Sequence, residues 1–506
     1  MSRPAEKDGP IGRLSPEAAA GGGGPARPRP LFEPEPRPTW RPGPKTLGFA
    51  VSLLAVVLVC AFAFAHYTLQ QAPHRLWKVL AGVVLGTVFV LRPSISLWAL
   101  PLAFAFKELL PKSPIPMLNA QNLLTYVLLI NWLATATFQR RRLFEPSTLN
   151  RPLAALLGWF LLSWVHGELE GGYGVAVHKS LQMFINQMIG FVLFYALVAH
   201  IRTPRDVRRL TVWYCIATGV GVVSLLTEYA EYGGDHRVGG AIEDLNIAGA
   251  FFAMNGLFAM GMIRAQGINI WQRIGMIGAT LGSVTSVLLT GSRGALLGLL
   301  GGSLPQAIRS GVIGVTTVAV LAVGLNLWAP PVIRDRMDST WHALSGGEEG
   351  GGDFDSVNDS SGGRLDIWIG VLNIAAQRPV FGVGLYRLAE NLEMEIGRYK
   401  VAHNLYLELL GETGLPGLLI FIWLMRRCFK LGQALEPYGG FAGSLGSAYI
   451  FALVGLLIAN IFGQRLNHFS MNGSLAYLSA LAVRAHQFEY EAWRAKRDAL
   501  AAKTEA

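Results

Sequence analysis

The chain has 506 residues, 52% of them hydrophobic and only 15% charged, with a mean hydropathy of +0.38 and a formal net charge of +10. A soluble chain carries roughly a quarter charged residues, so this composition excludes an ordinary soluble protein. In a membrane protein the basic excess marks one face of the bilayer and gives no argument for a nucleic-acid partner.

Residues 1–45, rich in Pro, Gly and Arg and ending RPTWRPGPK, are too polar and too broken to bury a core and read as a disordered tail. The run TLGFAVSLLAVVLVCAFAFAHY (46–67) exceeds the ~18 apolar residues that cross a bilayer as a helix. Further apolar runs follow at 77–92, 94–109, 119–138, 151–166, 179–200, 210–230, 244–264, 274–290, 294–308, 312–330, 415–429, 442–463 and 471–486. The expectation is an all-α polytopic integral membrane protein with 12–14 transmembrane helices. It divides into the tail, an N-terminal bundle (46–330), one large loop (331–402), C-terminal transmembrane helices (403–486) and a second tail (487–506). Cys60, Cys215 and Cys428 lie in or beside apolar runs without metal-ligand spacing and read as packing residues.

Basic loops set the orientation. Arg140-Arg141-Arg142, the run RTPRDVRRL (202–210) and Arg426-Arg427 with Lys430 all fall on one side, which the positive-inside rule makes cytoplasmic. Both tails then lie inside, and the loops at 167–178, 231–243 and 331–402 lie outside. The first half of the largest loop, SGGEEGGGDFDSVNDSSGG, reads as flexible. In its second half Leu365, Trp368, Ile369, Leu372 and Ile374 recur at helical spacing until Pro379, which predicts an ordered cap lying on the membrane surface.

The same parity places Gly291-Ser292-Arg293-Gly294 at the outer end of its span, on the face that holds Arg364 and His403. An arginine inside an apolar run is costly unless it snorkels or meets a polar cavity or an anion, and Arg293 is flanked by VTSVLLTG and GALLGLLGG. Arg364 opens the ordered half of the loop; His403 precedes a short amphipathic segment that also carries Asn404, Glu408 and Glu412, and Thr413 with Pro416 marks a new helix start. Two arginines and a histidine on one face suit a phosphorylated substrate: guanidinium binds phosphate oxygens bidentately, and imidazole titrates where it can take a hydroxyl proton. Arg465, beside Asn467, is a further outer-face anion contact. Lys78, Asn131, Asn186 and His468 carry less weight. No Walker loop, zinc-spaced His/Cys cluster, serine nucleophile elbow or Asp-x-Asp cluster occurs, so neither a metal nor another cofactor is expected.

Three stretches, GSRGALLGLL (291–300), GGRLDIWIGVLNIAAQRPVFGVGLYRL (362–388) and HNLYLELLGETGLPGLL (403–419), together resemble the bacterial O-antigen ligase and O-antigen polymerase superfamily. The resemblance spans roughly residues 180–465; the Pro-rich tail and the Gly/Asp-rich stretch near 345–362 depart from it. It implies a multi-pass glycosyltransferase of the bacterial inner membrane, working without metal on the periplasmic face. The donor it implies is a glycan on polyprenyl (undecaprenyl) diphosphate. The acceptor is the lipid A–core in a ligase, or another carrier-linked repeat in a polymerase. By the same resemblance Arg293 and Arg364 would bind the diphosphate and His403 would be the base; Asn404, Glu408, Glu412 and Arg465 are supporting candidates beside them. Ligase is the expected activity, with polymerase and protein O-glycosylation as alternatives. A glycolipid flippase would carry charges along many spans and inverted repeats, which the sequence lacks.

Overall fold

The computed structural model describes chiefly residues 94–106, 120–309 and 363–505, with short interruptions such as 171–176. The expected tail at 1–45, the spans at 46–67, 77–92 and 312–330, and the flexible first half of the large loop lie outside the described residues. Within them every regular element is helical, and seven helices are long and apolar enough to cross a membrane. The protein is an all-α polytopic membrane protein.

In chain order the helices are α1 (Ser94–Ala105), α2 (Ala120–Phe138), α3 (Asn150–Glu170), α4 (Val177–His200), α5 (Pro204–Tyr232), α6 (Leu245–Met262), α7 (Ile270–Thr290) and α8 (Arg293–Arg309). After the loop come α9 (Arg364–Gln377), α10 (Leu388–Ile396), α11 (Leu405–Leu435), α12 (Gly440–Ala459) and α13 (Phe469–Glu505). The seven spans are α3 to α7, α11 and α12. Local chemistry explains several of their starts. Thr203 and Asp206 form a reciprocal capping box on α5, with Pro204 in its first turn. Asn269 and Gln272 do the same on α7, and Asp244 caps α6 by accepting from the Asn246 and Ile247 amides at 2.7 and 2.9 Å.

Side-chain placement follows the solvent. Leu161, Leu162, Val165 and Leu169 of α3, Leu281 of α7, and Leu415, Leu419 and Ile422 of α11 are exposed, as lipid-facing surfaces require. Between helices, small residues bring backbones together. A Cβ at Gly261 would stand 2.5 Å from the Cα of Ala448, and one at Gly302 would stand 2.9 Å from that of Gly455. Because lipid is as apolar as leucine, this close packing rather than apolar burial holds α6, α8 and α12 together.

Three features differ from the sequence expectation. The last helix does not stop at 486; α13 runs on to Glu505. The helix starting after His403 is continuous with the next span, apart from one break at Gly414 (φ 68°), beside the expected start at Thr413. The second half of the large loop is not a simple surface cap. It folds as α9 and α10 joined by a strap (378–386) that packs into that break. The Val383 and Gly384 amides donate to the Gly411 and Glu412 carbonyls at 2.9 and 3.0 Å, and the Leu415 amide donates to the Pro379 carbonyl at 2.8 Å. A Cβ on Gly414 would stand 2.2 Å from the Val380 oxygen, so only glycine fits there on both conformational and steric grounds.

Candidate active site

Four chain segments meet at the ends of α6, α7 and α8. Gly291 (φ 60°) ends α7 in the left-handed conformation, its amide donating to the Leu288 carbonyl at 3.0 Å, and the chain reverses at once into α8. Ser292 accepts from the Ala295 amide at 3.4 Å, leaving Arg293 as the first helical residue. The N-terminus of α8 thus opens beside an arginine, where unpaired amides and the helix dipole favour an anion.

Asn246, Ser292, Arg293, Gly294, Arg364, Phe462 and Arg465, with Gly291, line one polar hollow at this junction. Arg364 enters as the first residue of α9, after Gly363 in the left-handed conformation (φ 75°). Arg465 enters from the turn after α12 and is 3% exposed, against half-buried Arg293 and Arg364. Its backbone amide donates to Asn460 Oδ1 at 2.9 Å, its Nε donates to the Asn246 carbonyl at 3.1 Å, and Nη2 reaches towards Ser292 Oγ at 3.5 Å. Its Nη1 is buried without a hydrogen-bond partner. Burial first, then the charge of Arg364, bring this guanidinium down to about 10, while Asp244 pulls the other way.

Arg237 extends the basic wall. Its Nε donates to the Thr290 carbonyl at 2.7 Å, and its Nη2 lies 3.5 Å from Asn246 Oδ1. Sequence reasoning missed Arg237, Asp244 and Asn246. Only Asp244 left a local signal, an acidic cap ahead of an apolar run.

His403 is half-buried and holds a left-handed backbone (φ 50°), unusual for a residue with a side chain. The preceding carbonyl, that of Ala402, accepts from Trp368 Nε1 at 3.0 Å, and Trp368 lies one turn beyond Arg364 on α9. This bond ties the histidine to the arginine's helix. Burial, followed by the charges of Arg364 and Lys400, holds the His403 imidazole below its ordinary value, against an opposite pull from Asp244. The ring is therefore neutral at neutral pH, the form that accepts a proton.

The supporting residues divide. Asn404 caps α11, its Oδ1 accepting from the Tyr406 and Leu407 amides at 2.9 and 3.2 Å, which is a positioning role. Glu408 and Glu412 are both buried one helical turn apart, and neither lines the hollow. Glu408 Oε1 accepts from Asn467 Nδ2 at 2.8 Å, and Asn467 Oδ1 accepts from Gln187 Nε2 at 3.0 Å. Glu412 Oε1 accepts from the Tyr386 amide at 3.0 Å, and the Tyr386 hydroxyl donates to Gln187 Oε1. These carboxylates tie the strap and α4 to the His403 helix. Asn131 and Asn186 bond to His200 and Asn122 within the bundle, away from the hollow.

Residues 278–422 match a family model described as O-antigen ligase. No curated protein matches the chain. The matched segment contains Arg293, Arg364 and His403 and stops before Arg465. Over this segment the chain is similar to the O-antigen ligase family.

Proposed function

We propose that the protein is a membrane glycosyltransferase that moves a glycan from a polyprenyl diphosphate carrier to an acceptor hydroxyl. We place it in the bacterial inner membrane with the site on the periplasmic face, and ligation of O-antigen to the lipid A–core is the activity we favour. The observation that carries this reading is the hollow itself: Arg293, Arg364 and buried Arg465 around the N-terminus of α8, with a neutral-held histidine next to Arg364.

The chemistry follows from the charges. The acceptor oxygen attacks the anomeric carbon as the bond from that carbon to the diphosphate oxygen breaks. The electron pair leaves on the diphosphate, whose growing charge Arg293, Arg364 and Arg465 meet with fixed donors. His403 takes the acceptor proton as the new bond forms. One displacement inverts the anomeric configuration, and the carrier linkage supplies the driving force, so no nucleotide enters.

Purified protein given carrier-linked glycan, with either lipid A–core or more carrier-linked repeat, tests the reading. Product on lipid A–core supports ligation and product on the carrier supports polymerisation. Donor left intact with both acceptors refutes the proposal. The pH dependence has a fixed sign. Because the His403 pKa is lowered, its basic form persists below 6.5, and transfer should fall only when pH drops through that lower value. Lys400→Gln removes one of the opposing charges, so the acid limb of kcat/KM should move up by roughly a few tenths of a pH unit. An unmoved limb separates His403 from the titration.

A further inference from the structure

The strap between α9 and α10 packs against spans, and two helices measure its depth. On α3, Ser163 Oγ donates to the Glu412 carbonyl at 2.8 Å and lies 3.5 Å from the Phe381 carbonyl, while Trp159 stacks on Phe381 with ring centroids 5.1 Å apart. Ser163 stands twelve residues, about 18 Å, beyond Arg151 at the basic end of α3. On α11, the Leu415 amide donates to Pro379 O, and Leu415 stands eleven residues, about 16 Å, from Arg426 at the basic end of that helix. Leu149 and Leu153 share one cavity lining with Leu424, Met425 and Cys428, which sets the two basic ends level. The hydrocarbon of a bilayer is about 30 Å thick, so both rulers put Pro379 to Phe381 about 12 Å inside its far boundary.

The backbone is built for that depth. Irregular backbone survives in lipid only where protein satisfies its polar groups. Pro379 brings no amide; its carbonyl takes the Leu415 amide at 2.8 Å, and the amides of Gly382, Val383 and Gly384 donate to Arg378, Gly411 and Glu412 at 3.1, 2.9 and 3.0 Å. Backbone lies directly on backbone: a Cβ at Gly384 would stand 2.3 Å from the Cα of Gly167. The side chains face outward, Val380 being 51% and Phe381 38% exposed. Phe381 packs on Trp159 and His166 of α3 and the Val380 backbone lies against Gly414 of α11, two helices whose Leu162, Val165, Leu415 and Leu419 are also exposed.

We infer that residues 379–384 form a re-entrant strap inside the bilayer, with Val380 and Phe381 in contact with lipid acyl chains as a patch continuous with the lipid faces of α3 and α11. The strap anchors one end of α9. It thereby holds Arg364, at the other end of α9, at the membrane boundary, where the head group of a lipid-borne substrate lies. The inference rests on packing and depth and does not depend on glycan transfer.

Spin labelling in lipid nanodiscs tests it, in full-length protein with Cys60, Cys215 and Cys428 replaced by Ala. Labels are placed singly by Val380→Cys, by Leu162→Cys on the lipid face of α3, and by Met394→Cys on exposed α10. The Val380 label is expected to match the Leu162 label, collision-accessible to oxygen and shielded from aqueous Ni-EDDA, while the Met394 label shows the reverse. A Val380 label as open to Ni-EDDA as the Met394 label overturns the inference. Val380 is already half exposed, so the label adds no burial. The readout needs no activity, so glycan transfer and the depth of the strap stand or fall separately.

Discussion

His403→Ala is expected to slow glycan transfer by about 10²–10⁴-fold while the protein stays folded, inserted and able to bind the donor. The histidine does not line the hollow; it is half-buried, close enough to Arg364 to feel its charge, and its side chain fills no core position. Its loss removes the base and leaves the arginines that hold the diphosphate. The backbone complicates the alanine variant, because position 403 is left-handed (φ 50°), a conformation that asparagine tolerates better than alanine. His403→Asn separates the two effects: it relieves the backbone objection yet supplies no base, so it should be as inactive as His403→Ala. If His403→Asn recovered substantial activity, the histidine would be a backbone device and the base would lie elsewhere.

Arg465→Gln should weaken binding of the diphosphate donor by at least about tenfold, equivalent to roughly 1.4 kcal/mol. The guanidinium lines the hollow, and its Nη1 is buried without a hydrogen-bond partner, so an anion arriving there gains a charge-assisted bond in a desolvated site. Three clustered cations repel one another until the anion comes, which makes inorganic pyrophosphate a convenient probe. It should raise the Tm of the wild-type protein and fail to raise that of Arg465→Gln. Arg465→Lys should rescue poorly, since a compact ammonium lacks the planar fork that lets the guanidinium hold the Asn246 carbonyl through Nε while its other nitrogens reach the hollow. Gly294→Ala gives the same test without removing charge. Its Cβ would stand 2.8 Å from Arg465 Nη2 and 2.8 Å from Phe462 Cβ, pushing the guanidinium aside. Equal pyrophosphate affinity in all four proteins would take Arg465 out of the site.

What was legible in the sequence follows the reach of each signal. Long apolar runs marked each of the seven helices among the described residues that can cross a membrane, because a bilayer imposes length on every helix that crosses it. The expected spans at 294–308 and 471–486 are not among those seven. Arg293 stood out because charge inside an apolar run is costly, and counting loops put it on the face of Arg364 and His403; the structure lines one hollow with the two arginines and ties His403 to the Arg364 helix through Trp368. Pro416 marked the break that the structure puts at Gly414. The strap was not legible. Its depth comes from hydrogen bonds between α3 and segments some 220 to 250 residues away in sequence, and from glycines whose reason is the backbone beside them. Arg237 looked like any loop arginine until its bond to Thr290 placed it beside Ser292. Glu408 and Glu412 read as site residues because charge on an apolar helix draws notice. Their partners, Asn467 and the Tyr386 amide, make them ties within the fold.

The most direct test of the proposed chemistry is transfer by the purified wild-type protein in lipid, with undecaprenyl diphosphate-linked glycan, lipid A–core acceptor and EDTA present. The expected result is glycan appearing on the acceptor with inverted anomeric configuration, matched by released carrier diphosphate, and no gain when Mg²⁺ is restored. An intact donor, or transfer that appears only with added divalent metal, would contradict a site in which arginines carry the diphosphate charge and His403 takes the proton.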